Sequence, residues 1–306
     1  MIGHSLAFLL GTIGNGLVIY FTVFKMKRTV NIVWFLNLAI ADFIFMFVLI
    51  FRIVTVALTF HWIFGEFMCR MNDAVFFINL YASIFLITAI SIDRCISVIY
   101  PVWCQNHRTP RLASFVALAI WILAIIFSVP YFIFSGTKVF GKITVCTYNI
   151  DDKNVIMVEI TDIWILGHKV IAILAFILGY CIPILIMLLC FIIITLRIQR
   201  DYVAKSSKPF KIIVAVIISF FVVLVSISGF ALLALSVKFT KDKHLNHVVS
   251  SWIFLSEKPD VYQQLYLILF FTSLWVKISR KNSGGPSIQC LKMLLWKKKL
   301  PIRMWG

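Results

Sequence analysis

A chain of 306 residues that is 62% hydrophobic, only 13% charged and +17 in formal net charge is not an ordinary soluble globule. Soluble domains carry about twice that charged fraction, and one core could not bury so much apolar surface. The basic excess lies in short gaps between apolar runs rather than in a patch, so nucleic acid is not an expected partner and membrane lipid is.

A bilayer core about 30 Å thick needs roughly 20 apolar residues in a helix, because only there does each backbone group find a partner within the segment. In chain order the runs are Ser5–Phe24, Val30–Leu58, Phe67–Val98, Leu112–Phe134, Trp164–Ile198, Phe210–Val237 and His247–Ile278. The seventh is interrupted by Ser256, Glu257, Lys258, Pro259 and Asp260, and a charge at mid-bilayer costs at least about 2.5 kcal/mol. The expected fold is an all-α bundle of seven transmembrane helices over residues 1–278, followed by a basic cytoplasmic tail over 279–306.

Charge sets the orientation. Lys25, Lys27 and Arg28 follow the first run, Arg108 and Arg111 the third, and Arg197, Arg200, Lys205, Lys208 and Lys211 the fifth. The alternate gaps mix signs: Glu66, Arg70 and Asp73, then Asp151, Asp152, Lys153 and Glu159, then Lys241, Asp242 and Lys243. The positive-inside rule places the N-terminus outside and the C-terminus inside. The first span begins almost at Met1, so no external tail is expected, and no cleaved signal peptide. Ser135–Asp162 is then the one substantial external loop.

Cysteine usage fits that orientation. Cys69 and Cys146 fall in external segments, where an oxidising compartment permits a disulfide. Cys95, Cys104, Cys181, Cys190 and Cys290 fall within helices or on the reducing side, and no metal-ligand spacing occurs. Of the six histidines, His61, His107, His168, His244 and His247 scatter over loops and run ends without a catalytic constellation, so neither an enzyme nor a cofactor is expected.

Polar groups inside apolar runs are the informative ones. Asn15 lies in the first, Asp42 in the second and Ser83 in the third. Asn15 and Ser83 also suit plain helix–helix hydrogen bonding, whereas a buried carboxylate needs a cation, a proton or strong donors. Asp93-Arg94 ends the third run, where an acid–base pair commonly snorkels to the interface. Pro130 and Pro183 interrupt the hydrogen-bond ladders of runs four and five.

Taken in order, Asn15, Asp42, Asp93-Arg94, Trp121, Pro183 and the Cys69–Cys146 pair resemble the landmarks of rhodopsin-class G-protein-coupled receptors. Three segments (Asn31–Phe43, Asp93–Val98 and Pro101–Thr109) closely resemble the formyl peptide receptor family, as does Ser-Ser-Lys-Pro-Phe-Lys before run six. The resemblance covers roughly residues 11–222. It implies a chemoattractant-type receptor in the plasma membrane, a peptide or small-molecule ligand entering from outside, and a heterotrimeric G protein bound beside Asp93 and Arg94. It also implies a resting-state sodium ion held by Asp42 with Asn15 and Ser83.

Three departures from that family matter. Its span-three aspartate and two span-five arginines, thought to hold a formylated ligand, fall on Phe77, Ile171 and Ala175. Loss of these polar anchors predicts no high-affinity binding of N-formyl peptides. In run six the family's Cys-Trp-x-Pro switch reads Val223-Leu224-Val225-Ser226, which removes the built-in kink.

Run seven lacks Asn-Pro-x-x-Tyr. One permitted codon choice for Leu267 onward, read from the third base of its first codon, encodes Asn-Pro-Ile-Leu-Tyr-Val-Phe-Met-Gly-Gln-Asn-Phe-Lys-Lys. The expectation is an upstream frameshift, with the tail rich in Lys292, Lys297, Lys298, Lys299 and Arg303 as its product. The competing reading of that tail is a lipid-binding amphipathic segment. For the whole chain the alternatives are a degenerate relative that inserts without signalling, retained in the cell if the seventh span is defective, or a transporter or channel. No internal repeat or paired broken helices favour the last.

Overall fold

The computed structural model describes residues 2–148, 170 and 173–201. Runs six and seven, the Val223–Ser226 segment, the tail over 279–306, Cys290 and Ile171 lie outside the described residues.

Within them the chain forms α1 (Ile2–Phe24), α2 (Val30–Ala57), α3 (Gly65–Ile99), a short α4 (Pro101–His107) and α5 (Pro110–Phe134). A hairpin of β1 (Ser135–Phe140) and β2 (Ile143–Tyr148) follows, then a π-helical turn (Ile177–Cys181) that runs into α6 (Ile182–Asp201). Among the described residues five helices are long and apolar enough to cross a membrane: His4–Phe24, Val30–Ala57, Gly65–Ile99, Pro110–Phe134 and Ile173–Arg197.

Local chemistry sets the helix starts. Thr29 and Thr109 have extended backbones, and their hydroxyls accept from Ile32 N and Leu112 N, the usual N-cap arrangement. Pro101 and Pro110 occupy first turns, where a missing N–H costs nothing.

Burial is arranged for lipid. Along α5, Ala113, Ala117, Ala124 and Ser128 are buried, whereas Phe115, Leu118, Ile122, Ile126 and Val129 are exposed. Small residues on the inner face let helix backbones approach closely, which is how helices associate where lipid is as apolar as the side chains. Ala113, Ala117 and Ile120 pack with Val30, Val33, Trp34 and Leu38 of α2 and with Leu86 and Ile87 of α3. Higher up, Ala124 joins Ala41, Tyr81, Ala82, Ile84 and Tyr180. The 35-residue α3, about 50 Å long at helical rise, is the axis that α2, α5 and α6 pack against.

An all-helical reading omits the hairpin. Ser135–Phe140 pairs antiparallel with Ile143–Tyr148, Phe140 opposite Ile143. The two-residue connection Gly141-Lys142 fits because Gly141 has φ +61°, as such turns require. Alternating β-branched residues (Thr137 and Val139; Ile143 and Val145) suit an extended pleat.

Candidate functional site

Polar chemistry occurs at three levels along α3. At the first, Cys69 is disulfide-bonded to Cys146 of β2. The Ser135 hydroxyl donates to Asp73 Oδ2. Trp62 N donates to Thr144 O at 2.7 Å, and Thr144 N donates to His61 Nδ1 at 3.0 Å. The hairpin is thereby tied to α3 and to the α2–α3 connection. Cys69, Asp73 and Cys146 bring potential ligand atoms within 4.8 Å of one another, but the disulfide consumes both thiolates a metal would need.

One helical turn beyond Asp73, Phe77 stacks on Tyr131 of α5, ring centroids 3.3 Å apart and planes 14° from parallel. Tyr81 is fully buried among Phe77, Phe85, Phe127, Tyr131 and Tyr180, and its hydroxyl lies 3.3 Å from that of Tyr131. Ala175 is buried. The position where the family resemblance places an acid is therefore an aromatic stack here. Gly179, in the π-helical turn, touches the same cluster: a Cβ there would sit 2.5 Å from Tyr81 Cε1.

The second level is mid-bundle. Asn15, Asp42, Asn79 and Ser83 are all buried. Among the described residues, Asp42 Oδ2, Asn15 Nδ2, Asn79 Nδ2 and Ser83 Oγ have no hydrogen-bond partner. Asn79 stands against the Asp42 carboxyl without satisfying its own amide. An anionic oxygen held this way in an apolar bundle is costly unless a cation, a proton or a donor meets it. Nearby, Trp121 Nε1 donates to Asn37 Oδ1 at 3.0 Å and ties α5 to α2.

At the third level Asp93 and Arg94 do not simply pair with each other. Arg108, just past α4, donates Nε to Asp93 Oδ1 at 2.7 Å and Nη2 to Asp93 Oδ2 at 2.8 Å. Arg94 Nη2 donates to Asn31 Oδ1 at 2.8 Å, and Arg108 Nη2 donates to that same oxygen. One asparagine of α2 thus collects two guanidinium groups, one of which also grips the Asp93 carboxylate. Planar guanidinium forks suit such shared and bidentate recognition.

Sequence reasoning missed Asn31, Asn79 and Arg108 as site residues. Asn31 figured only in a family-like segment, Arg108 only in another and as a loop charge, and Asn79 not as a site residue at all. Asn79 lies four residues before Ser83 in the same apolar run, one helical turn away, which was a usable signal; the role of Arg108 depends on how α4 folds the chain back.

Five apolar helices with polar groups on their packed faces define a multi-pass membrane protein. The family of seven-transmembrane receptors of the rhodopsin class matches residues 14–257, and the chain belongs to that family. Among curated proteins it is similar to chemerin-like receptor 1 of Mus musculus, 43% identical over 225 residues that cover 71% of this chain and 60% of that receptor. It is similarly related to N-formyl peptide receptor 3 of Homo sapiens, 43% identical over 220 residues covering 72% of this chain and 62% of the relative. The chain thus spans about three fifths of the length of these relatives. They are receptors, not enzymes.

Proposed function

We propose that the chain is a plasma-membrane receptor of the formyl peptide and chemerin-like type, which passes ligand occupancy outside to a heterotrimeric G protein inside. The observation that carries this reading is the group Asn31–Arg94–Arg108–Asp93, held at one end of α3 while the other end is fixed to the hairpin by the Cys69–Cys146 bond. A ligand that favours one helix arrangement shifts the population toward it, and a helix anchored covalently at one end and held by exchangeable polar contacts at the other can transmit that preference. Basic Lys25, Lys27, Arg28, Arg108 and Arg111 lie at the Arg94 end, which supports an inward orientation for it.

The ligand is a peptide or small molecule whose recognition does not use a formyl anchor. The Phe77–Tyr131 stack and buried Ala175 offer apolar surface and no charge, which supports an apolar or aromatic group in the ligand. Asp42 and Ser83 suit a small hard cation such as sodium, which takes oxygen ligands: Asp42 Oδ2 and Ser83 Oγ are buried oxygens without a partner among the described residues. A bound cation would neutralise the Asp42 carboxylate.

The test is guanine-nucleotide exchange on purified heterotrimeric G protein by the chain reconstituted in nanodiscs, with and without a broad peptide panel. The competing reading, an inserted relative that does not signal, draws on Val223-Leu224-Val225-Ser226 and the charged interruption of run seven. Surface expression with no exchange under any condition would favour it.

A further inference from the structure

Two free thiols meet across the bundle. Cys95, the residue after Arg94 on α3, and Cys190 on α6 are both buried. They share a small apolar cluster with Ile194, bordered by Ile99 and Ile186, which brings the two side chains together between α3 and α6. The other described free cysteines differ: Cys104 donates to Ser97 Oγ at 3.6 Å and Cys181 is exposed.

We propose that Cys95 and Cys190 are a redox-responsive dithiol that a hydroperoxide closes into a disulfide between the third and fifth spans. One thiolate attacks the O–O bond, giving a sulfenic acid and water (or the alcohol of an organic peroxide). The second thiol then attacks the sulfenic sulfur, the S–S bond forms and a second water leaves. Both sulfurs are oxidised by one electron each, the peroxide is reduced by two, and both thiol protons end in the departing oxygens. A dithiol reductant reverses the step by exchange.

The surroundings select this product over a metal complex. Two thiolates do not complete the four-coordinate shell a soft divalent cation takes, and Ile99, Ile186 and Ile194 offer no further ligand, whereas a disulfide is neutral and apolar. Burial also sets the rate, because the thiolate is the reactive form and apolar burial suppresses it. The pair thus reacts slowly while the helices stay packed and faster when the Arg94 end of the bundle admits water. Disulfides facing a reducing compartment are transient and sensory rather than structural. On the orientation given under Proposed function, this one would hold α3 against α6 beside the G-protein-facing arginine.

The test uses the full chain in detergent micelles and needs neither ligand nor G protein, so it stands or falls separately from the receptor reading. The protein is treated with hydrogen peroxide, denatured in N-ethylmaleimide, digested and analysed by mass spectrometry. The expected result is a peptide linking Cys95 to Cys190, lost after dithiothreitol, and an upward shift in unfolding temperature that dithiothreitol reverses. In Cys190→Ser the linked peptide is absent and Cys95 carries the maleimide. Recovery of both cysteines from the peroxide-treated native chain as singly alkylated or sulfinic peptides, or of Cys95 linked to Cys104, would overturn the proposal.

Discussion

Arg108 takes both carboxylate oxygens of Asp93, and this frees Arg94, the next residue, to bond Asn31 of α2. Consecutive residues of one helix are thereby tied to different elements, one to the segment after α4 and one to α2. Breaking the Arg108 contact would remove a partner from Asp93 and half the load on Asn31 at once.

Because these bonds are charge-assisted and partly buried, their loss has a measurable cost. Arg108→Ala should lower stability by about 1.5–3 kcal/mol, read as a lower unfolding temperature in detergent. Arg108→Lys should recover only part, since an ammonium cannot form the two-pronged contact. Equal stability of the native chain and Arg108→Ala would refute the contact.

Gly179 faces the Tyr81 ring so closely that a methyl group would overlap Cε1 at 2.5 Å. Gly179→Ala should therefore destabilise by about 1–3 kcal/mol, as overpacking does. Tyr81→Leu should relieve that overlap in the double variant, leaving a coupling between the two positions well above their separate effects. Additive losses would show that the two residues do not touch.

Asp42 provides a test by salt substitution. A ligand bound only to the folded state raises stability by mass action, so exchanging choline chloride for sodium chloride at constant ionic strength should raise the unfolding temperature of the native chain. Asp42→Asn should abolish that rise, because the amide offers the cation no charge. A sodium response of equal size in both proteins would place the ion elsewhere.

With Phe77 stacked on Tyr131, N-formyl peptides should bind weakly. A labelled formyl tripeptide should show no saturable binding in the sub-micromolar range, which corresponds to more than about 8 kcal/mol of binding free energy. Saturable binding in that range would show that the charged anchors are dispensable.

The helices were readable from sequence because lipid imposes long apolar runs, and the first five runs are helices where described. Asp42, Asp93 and Arg94 were readable because a polar group in such a run is costly and therefore informative. The hairpin was not: Ser135–Tyr148 is too short and too mixed to separate from a loop until Cys146 and Ser135 are seen fixed to α3. The short α4 was missed because seven residues are too few for a helical period to show, and none of them is buried. Asn31 and Arg108 escaped notice for a related reason. They are far apart along the chain, and only the turn through α4 brings Arg108 back over Asp93 and Asn31.

Nucleotide exchange by the nanodisc-embedded chain examines the Arg94 end of the bundle itself. Arg108→Ala, which loosens the grouping around Arg94, should raise ligand-free exchange on purified G protein by about 5- to 10-fold, the range of a coupling of 1–1.4 kcal/mol. Arg94→Ala should bring exchange down to the rate of the G protein alone. Exchange that ignores both substitutions, in chains that are folded and correctly inserted, would contradict a signalling role for this end of α3.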